Sequence, residues 1–196
     1  MRQPLPDFPP LYASAAWWKE YVASRLGGID ARGATVAANR GSGLRNRDWM
    51  RFTIEVDETL SLPVAGGASA LKNRYPDSWV LAQEAQRDGR KILSSIATAY
   101  GRQPFFHLIK EELFAPLLGL EDRKASQVCL EAFQAVERLL GLDGERLIFD
   151  LRMKIADKDH TLRQVALESS PKFGLSIIDA LVRKGPGAIF ALLPAF

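Results

Sequence analysis

The sequence predicts a mixed α/β (α+β) fold, a single domain over residues 1–196 with a small central sheet surrounded by helices. Three observations predict it. Apolar side chains alternate at Met50, Phe52, Ile54 and Val56, with polar Arg51, Thr53, Glu55 and Asp57 between them, the period of a strand with one face buried. Leu60, Leu62 and Val64 begin a second alternation beyond Asp57-Glu58, which together give a hairpin at about 48–64. Elsewhere the apolar residues recur at helical spacing, most regularly from Ala125 to Leu140.

In chain order, Pro4, Pro6, Pro9 and Pro10 make an extended, stiff opening. Leu11 to Leu26 reads as a helix with Trp17, Trp18, Tyr21 and Val22 as its core stripe, stopped by Gly27-Gly28. Ala34 to Ala38 reads as a short strand and Gly41-Ser42-Gly43 as loop. Pro63 has no N–H for a ladder, so the second hairpin strand is an edge or ends there. Gly66-Gly67 open a polar connection ending near Asp77, and Trp79 to Gln83 is a candidate strand.

Asp88 to Tyr100 is a helix with Ile92, Leu93, Ile96, Ala97 and Tyr100 on one face; Gly101 ends it. Pro104 fits the first turn of a further helix through about Leu118. Asp122 caps the helix to Leu140, and Gly141 closes it. Leu147 to Leu151 is a candidate strand, 155–160 a loop and Leu162 to Leu167 a short helix. Ser176 caps the last long helix, whose basic end at Arg183-Lys184 suits the dipole; Gly185-Pro186 stop it.

The chain has 196 residues and a formal net charge of +3 with both signs mixed, which accommodates a small anion and does not call for a nucleic acid. The single cysteine, Cys129, excludes an internal disulfide and lies on an apolar helix face. The start lacks a signal-peptide core and the apolar run 187–196 is too short to span a bilayer, so the expectation is a cytoplasmic protein with no membrane partner. No phosphate-binding loop, dinucleotide fingerprint or nucleophile elbow is present, and GGASALK at 66–72 has the wrong spacing for a phosphate loop.

Arg45 and Arg47 flank Asn46 just before the hairpin. In an extended stretch, side chains two apart point the same way, so both guanidinium groups would meet one phosphate or carboxylate, with Arg40 and Lys72 adding charge. The other reading is a solvated basic turn. Tyr100, Arg102, Phe105 and Phe106 mark a helix break, either a stacking platform or an aromatic-packed junction. Asp179 is either a general base or, at its offset from Ser176, a capping residue. His107 and Glu111 are four apart, but no third or fourth metal ligand is suggested; no metal or cofactor is expected.

Three ordered segments resemble the WbqC-like family: RNR with its hairpin and LSLPV (44–64), IATAYGRQPFF (96–106), and the stretch from Leu162 to Gly187 with RQV and FGLSIIDALVRKGPG. DFPPL at 7–11 resembles the family's segment before its first helix. The resemblance implies a bacterial protein of surface-polysaccharide (O-antigen) biosynthesis, an aminoacyl or acyl transferase acting on a sugar or sugar nucleotide. Its anionic substrate would rest on Arg45, Asn46, Arg47, Lys72 and Tyr100, with the catalytic group unassigned. Histidines expected in the family's pattern are replaced here by Gln3 and by Ile92, and a tryptophan by Asp88. A family member that binds without reacting is therefore the alternative.

Overall fold

The computed structural model describes residues 6–55, 58–73, 75–144, 148 and 175–193. In order these form α1 (Ala15–Leu26), α2 (Ala31–Gly41), β1 (Arg51–Thr53), β2 (Thr59–Ser61), α3 (Gly67–Asn73), α4 (Ala85–Tyr100), α5 (Phe106–Phe114), α6 (Ala125–Leu140), α7 (Ile177–Lys184) and α8 (Ala188–Ala191). The fold is mixed α+β, mostly helical, and the described residues hold one two-stranded antiparallel sheet.

The hairpin follows its alternation. Phe52 pairs with Leu60 and both are buried, while Arg51, Thr59 and Ser61 face outward. Met50, Ile54, Leu62 and Val64 continue the buried face beyond the paired residues. The paired strands are short; β2 ends at Ser61, two residues before Pro63. Val56 and Asp57 lie outside the described residues, as do the loop at 155–160 and the short helix at 162–167 expected from the sequence. The strand expected at 147–151 does too, except for Ile148, which is helical and buried.

The proline-rich opening is held by side chains, because an extended proline segment lacks donors and leaves carbonyls to satisfy. Buried Asn39 donates its amide N–H groups to the Pro6 and Phe8 carbonyls at 3.0 and 3.2 Å, and its Oδ1 accepts from Trp17 Nε1 at 2.9 Å. Trp49 Nε1 also donates to the Phe8 carbonyl at 3.0 Å. Trp17 and Trp18 are buried, as their helical spacing predicts: Trp17 stacks on Tyr21 and Trp18 on Phe133 of α6.

Several expected boundaries are corrected. The first helix begins at Ala15, not Leu11: Tyr12 has a φ of 42°, and the Ser14 Oγ accepts from the Trp17 N–H. Ala34 to Ala38 is helical, not a strand. Asp30 caps α2 by accepting from Gly33 N–H at 2.7 Å, and alanine-rich chain propagates readily once capped. The polar connection after Gly66 contains α3.

Trp79 to Gln83 is not a named strand, yet it pairs on both sides. Bridges join Val64 to Leu81 and Val80 to Lys124. That pairing explains why α6 starts at Ala125 and not after Asp122: Arg123 and Lys124 are drawn out to meet Val80-Leu81, and Asp122 turns at a φ of 53°. The helix after Pro104 starts at Phe106 and tightens into a 3-10 turn at Ala115–Leu117, where Pro116 has no N–H for an α-helical bond. α7 forms where the sequence places it, α4 starts at Ala85 and not at Asp88, and Gly141 closes α6 at a φ of 73°.

Asn39→Ala would orphan the Trp17 indole N–H and weaken the hold on two carbonyls at once. The expected loss is about 1 to 3 kcal/mol of unfolding free energy, measured by urea titration, with a matching gain in proteolysis of the opening segment.

Candidate functional site

The RNR segment is a 3-10 turn, not an extended stretch. Arg45 occupies the cap position and Asn46–Asp48 the turn. The sequence folds this way because Asp48 reaches back, its Oδ2 accepting from the Arg45 N–H at 3.1 Å. The next residue, Trp49, is fully buried and anchors the turn to the core. At three residues per turn, side chains two apart diverge by about 120°. The geometric premise of two parallel guanidinium groups is thus corrected. Both arginines are exposed; Arg47 Nε lies 3.7 Å from Asp48 Oδ1, a loose surface pair.

Helix α3 packs against this turn, so Lys72, exposed near its C-terminal end, belongs to the same region of the surface. Arg40, also exposed, ends α2 in the chain just ahead of the turn. Arg45, Arg47 and Lys72 thus lie in one region of the surface. Tyr100 is elsewhere. It is fully buried at the end of α4, and its hydroxyl accepts from the Glu55 N–H at 2.8 Å, beyond the far end of β1 from the basic turn. Burial pushes its phenol well above the ordinary range, so it stays protonated.

Around Tyr100 the structure assembles a polar junction that sequence reasoning missed. Arg183 of α7 pairs with Glu55 of the hairpin, and its Nε donates to Asp179 Oδ1 at 3.0 Å. The Asp179 carboxylate hydrogen bond raises the Arg183 pKa further above its ordinary value, so the guanidinium is always charged. The capping reading of Asp179 is corrected: its carboxylate serves Arg183, while the Ser176 N–H donates to the Thr53 carbonyl at 2.9 Å. Ser176 still caps α7, its Oγ accepting from Ile178 N–H and donating to the Tyr12 carbonyl. The four-residue spacing of Asp179 and Arg183 was the available signal; their partner in the hairpin, more than a hundred residues away, was not.

The helix break at 101–105 closes onto the same junction. Phe105 N–H donates to the Val182 carbonyl at 3.0 Å, and its ring lies against Gly185. A β-carbon on Gly185 would sit 2.5 Å from Phe105 Cδ1, and its φ is 55°, so glycine is required twice over. Phe106 is buried; Arg102 and His107 are exposed. Cys129 is buried with its Sγ 3.6 Å from Met50 Sδ, and burial pushes its thiol far up, so it packs and does not attack. Ile92 is core and Asp88 surface, so neither restores acid–base chemistry at the positions where the resemblance expects a histidine and a tryptophan. Among the described residues no group of three or more His, Cys, Asp or Glu side chains is placed to hold a metal.

The arrangement defines a mixed α+β protein with an exposed basic turn at the head of its hairpin and an ion-paired junction beyond the other end. Residues 40–174 match the WbqC-like protein family, and the chain belongs to that family. The match covers the RNR hairpin and the alanine-tyrosine-glycine segment in full; Leu175 to Gly187, which pack on both, lie beyond it. No curated protein and no solved structure matches the chain. No helix among the described residues is long and apolar enough to cross a membrane.

Replacing Gly185 with alanine forces either the left-handed backbone or the Phe105 ring to move. A loss of about 1 to 3 kcal/mol is expected by chemical denaturation, and adding Phe105→Ala should remove most of the steric share while leaving the backbone share.

Proposed function

We propose that this WbqC-like protein binds a small anionic ligand of the sugar-nucleotide type on the surface formed by the basic turn and α3. Its role would be acyl or aminoacyl transfer onto a sugar in surface-polysaccharide biosynthesis, in the cytoplasm and as a single domain. The observation that carries the reading is the packing of α3 against the Asn46–Asp48 turn, which gathers Arg45, Asn46, Arg47 and Lys72 into one region. Diverging guanidinium groups suit a ligand with two anionic centres, such as a diphosphate, better than one isolated carboxylate. Tyr100 acts from below, by fixing the hairpin at Glu55.

A second reading has its own support. Ile92 and Asp88 occupy positions where the family resemblance expects a histidine and a tryptophan, and Ile92 is buried in the core. A member with the same fold that binds the ligand and performs no transfer follows directly from that substitution.

Both readings share one test of binding. Millimolar UDP-glucose should raise the melting temperature of the wild-type chain, and Arg45→Gln with Arg47→Gln should abolish most of the rise without changing the unliganded melt. An unmoved wild-type melt overturns both. Product formation from an aminoacyl or acyl donor by the same preparation then selects the transferase, and ligand-induced stabilisation without product selects the binding protein.

A further inference from the structure

A second cationic surface lies on α4, away from the residues that the family reading uses. Gln83, Gln86, Arg87, Arg90, Lys91 and Ser94 line a groove of about 600 Å³ whose opposite wall carries Glu121. These positions recur at intervals of three and four, so they form one stripe along the helix and the two residues before it. The stripe is opposite Ala85, Gly89, Ile92 and Ile96, which are buried. It is the outer face of an amphipathic helix, but its first charge is placed against the local rule. Arg87 stands in the first turn of α4, where the helix dipole disfavours positive charge, and Arg90 and Lys91 follow it one turn further on.

Asp88 offsets part of this, lying 3.2 Å from Arg87 Nε and 3.5 Å from Lys91 Nζ. Arg90 is exposed and makes no ion pair among the described residues. The wall is built with equal specificity. Gln86 Oε1 accepts from the Leu120 N–H at 2.8 Å, which leaves its amide N–H groups for the groove. A β-carbon on Gly89 would lie 2.7 Å from Leu120 Cδ1 and 3.1 Å from the Leu117 carbonyl oxygen. Only glycine at that position lets α4 approach the segment carrying Glu121 this closely, against the usual helix penalty of about 1 kcal/mol.

We propose that this groove is a binding site for a phosphorylated polyol. Arg87, Arg90 and Lys91 take the phosphate, which offsets the unfavourable position of Arg87 on the dipole. Glu121 accepts from the hydroxyls, and Gln83, Gln86 and Ser94 donate to or accept from them. The ester's polyol hydroxyls, which a bare phosphate lacks, can hydrogen-bond to Glu121, so the groove favours the phosphate ester over inorganic phosphate. The proposal is independent of the basic turn and stands or falls on different residues.

The test is titration of the full chain with glucose 1-phosphate, inorganic phosphate and glucose in parallel, read by calorimetry and by amide shifts of residues 83–94. Glucose 1-phosphate should bind more tightly than inorganic phosphate, and glucose should not bind measurably. Arg87→Gln, Arg90→Gln and Lys91→Gln together should weaken glucose 1-phosphate at least about tenfold, the loss of roughly one charge-assisted contact. Glu121→Gln should narrow the preference over inorganic phosphate. Amide shifts at residues 83–94 that persist in the paired Arg45→Gln, Arg47→Gln variant separate this groove from the basic turn, which the proposed function already uses. Undiminished binding by the triple variant, or none by the wild type at millimolar ligand, overturns the site. Equal affinity for glucose 1-phosphate and inorganic phosphate overturns the polyol assignment. Because the three cations are exposed and their pairs with Asp88 are surface pairs, the unliganded melt of the triple variant should not fall measurably. A fall would assign them to the fold instead.

Discussion

The structure depends on one junction, where the chain just before α7 is laid against both the start of the molecule and its hairpin. Ser176 is the centre of it. Its N–H donates to the Thr53 carbonyl of β1, its hydroxyl donates to the Tyr12 carbonyl, and it bridges to Ser14. The neighbouring Ala15 N–H and Ile177 N–H complete the pairing with the Leu175 and Ala13 carbonyls. A two-stranded hairpin is marginal in water by itself. Here its outer edge is capped by residues from both ends of the chain, and Arg183 adds an ion pair to Glu55 from the same helix that Ser176 starts. The hairpin in turn orders the basic turn that precedes it, through Trp49 and Met50, which are buried where β1 begins.

This arrangement brings together three stretches that are far apart in the sequence. The hairpin supplies Thr53 and Glu55, the helix break supplies Tyr100 and Phe105, and the last long helix supplies Ser176, Asp179, Arg183 and Gly185. Each segment holds a polar or steric requirement of another: Tyr100 takes the Glu55 N–H, Gly185 admits the Phe105 ring, and Ser176 takes the Thr53 carbonyl. The requirement is structural at its core, since Tyr100 and Ser176 are buried. The exposed cations of the basic turn lie outside it.

Much of this was legible locally. Period-two alternation located the buried face of the hairpin, and helical stripes located α1, α4, α6 and α7, because burial imposes the same period on sequence and structure. What was not legible depended on partners distant in the chain. Ala34 to Ala38 is short and apolar enough to suit a strand; Asp30 and the packing of α2 on α1 decide for helix. The start of α6 is set by Val80-Leu81 pairing with 123–124, which no local pattern announces. The RNR triplet looked extended because its residues have no helical stripe, yet Asp48 folds it back by a single side-chain bond. Among site residues, the cations were visible as charges but their directions were not, and Tyr100 is buried as its place on the helix stripe predicts, not at the surface where the ligand reading put it.

The claim on which the rest turns is that the start of α7 and the hairpin close as one unit. Native-state hydrogen exchange at the Ser176 and Ile177 amides tests it directly. The account predicts that both exchange as slowly as the amides at the centre of α6, opening only with global unfolding. Fast exchange at Ser176 and Ile177 while α6 stays protected would show that the junction opens locally, and would contradict it.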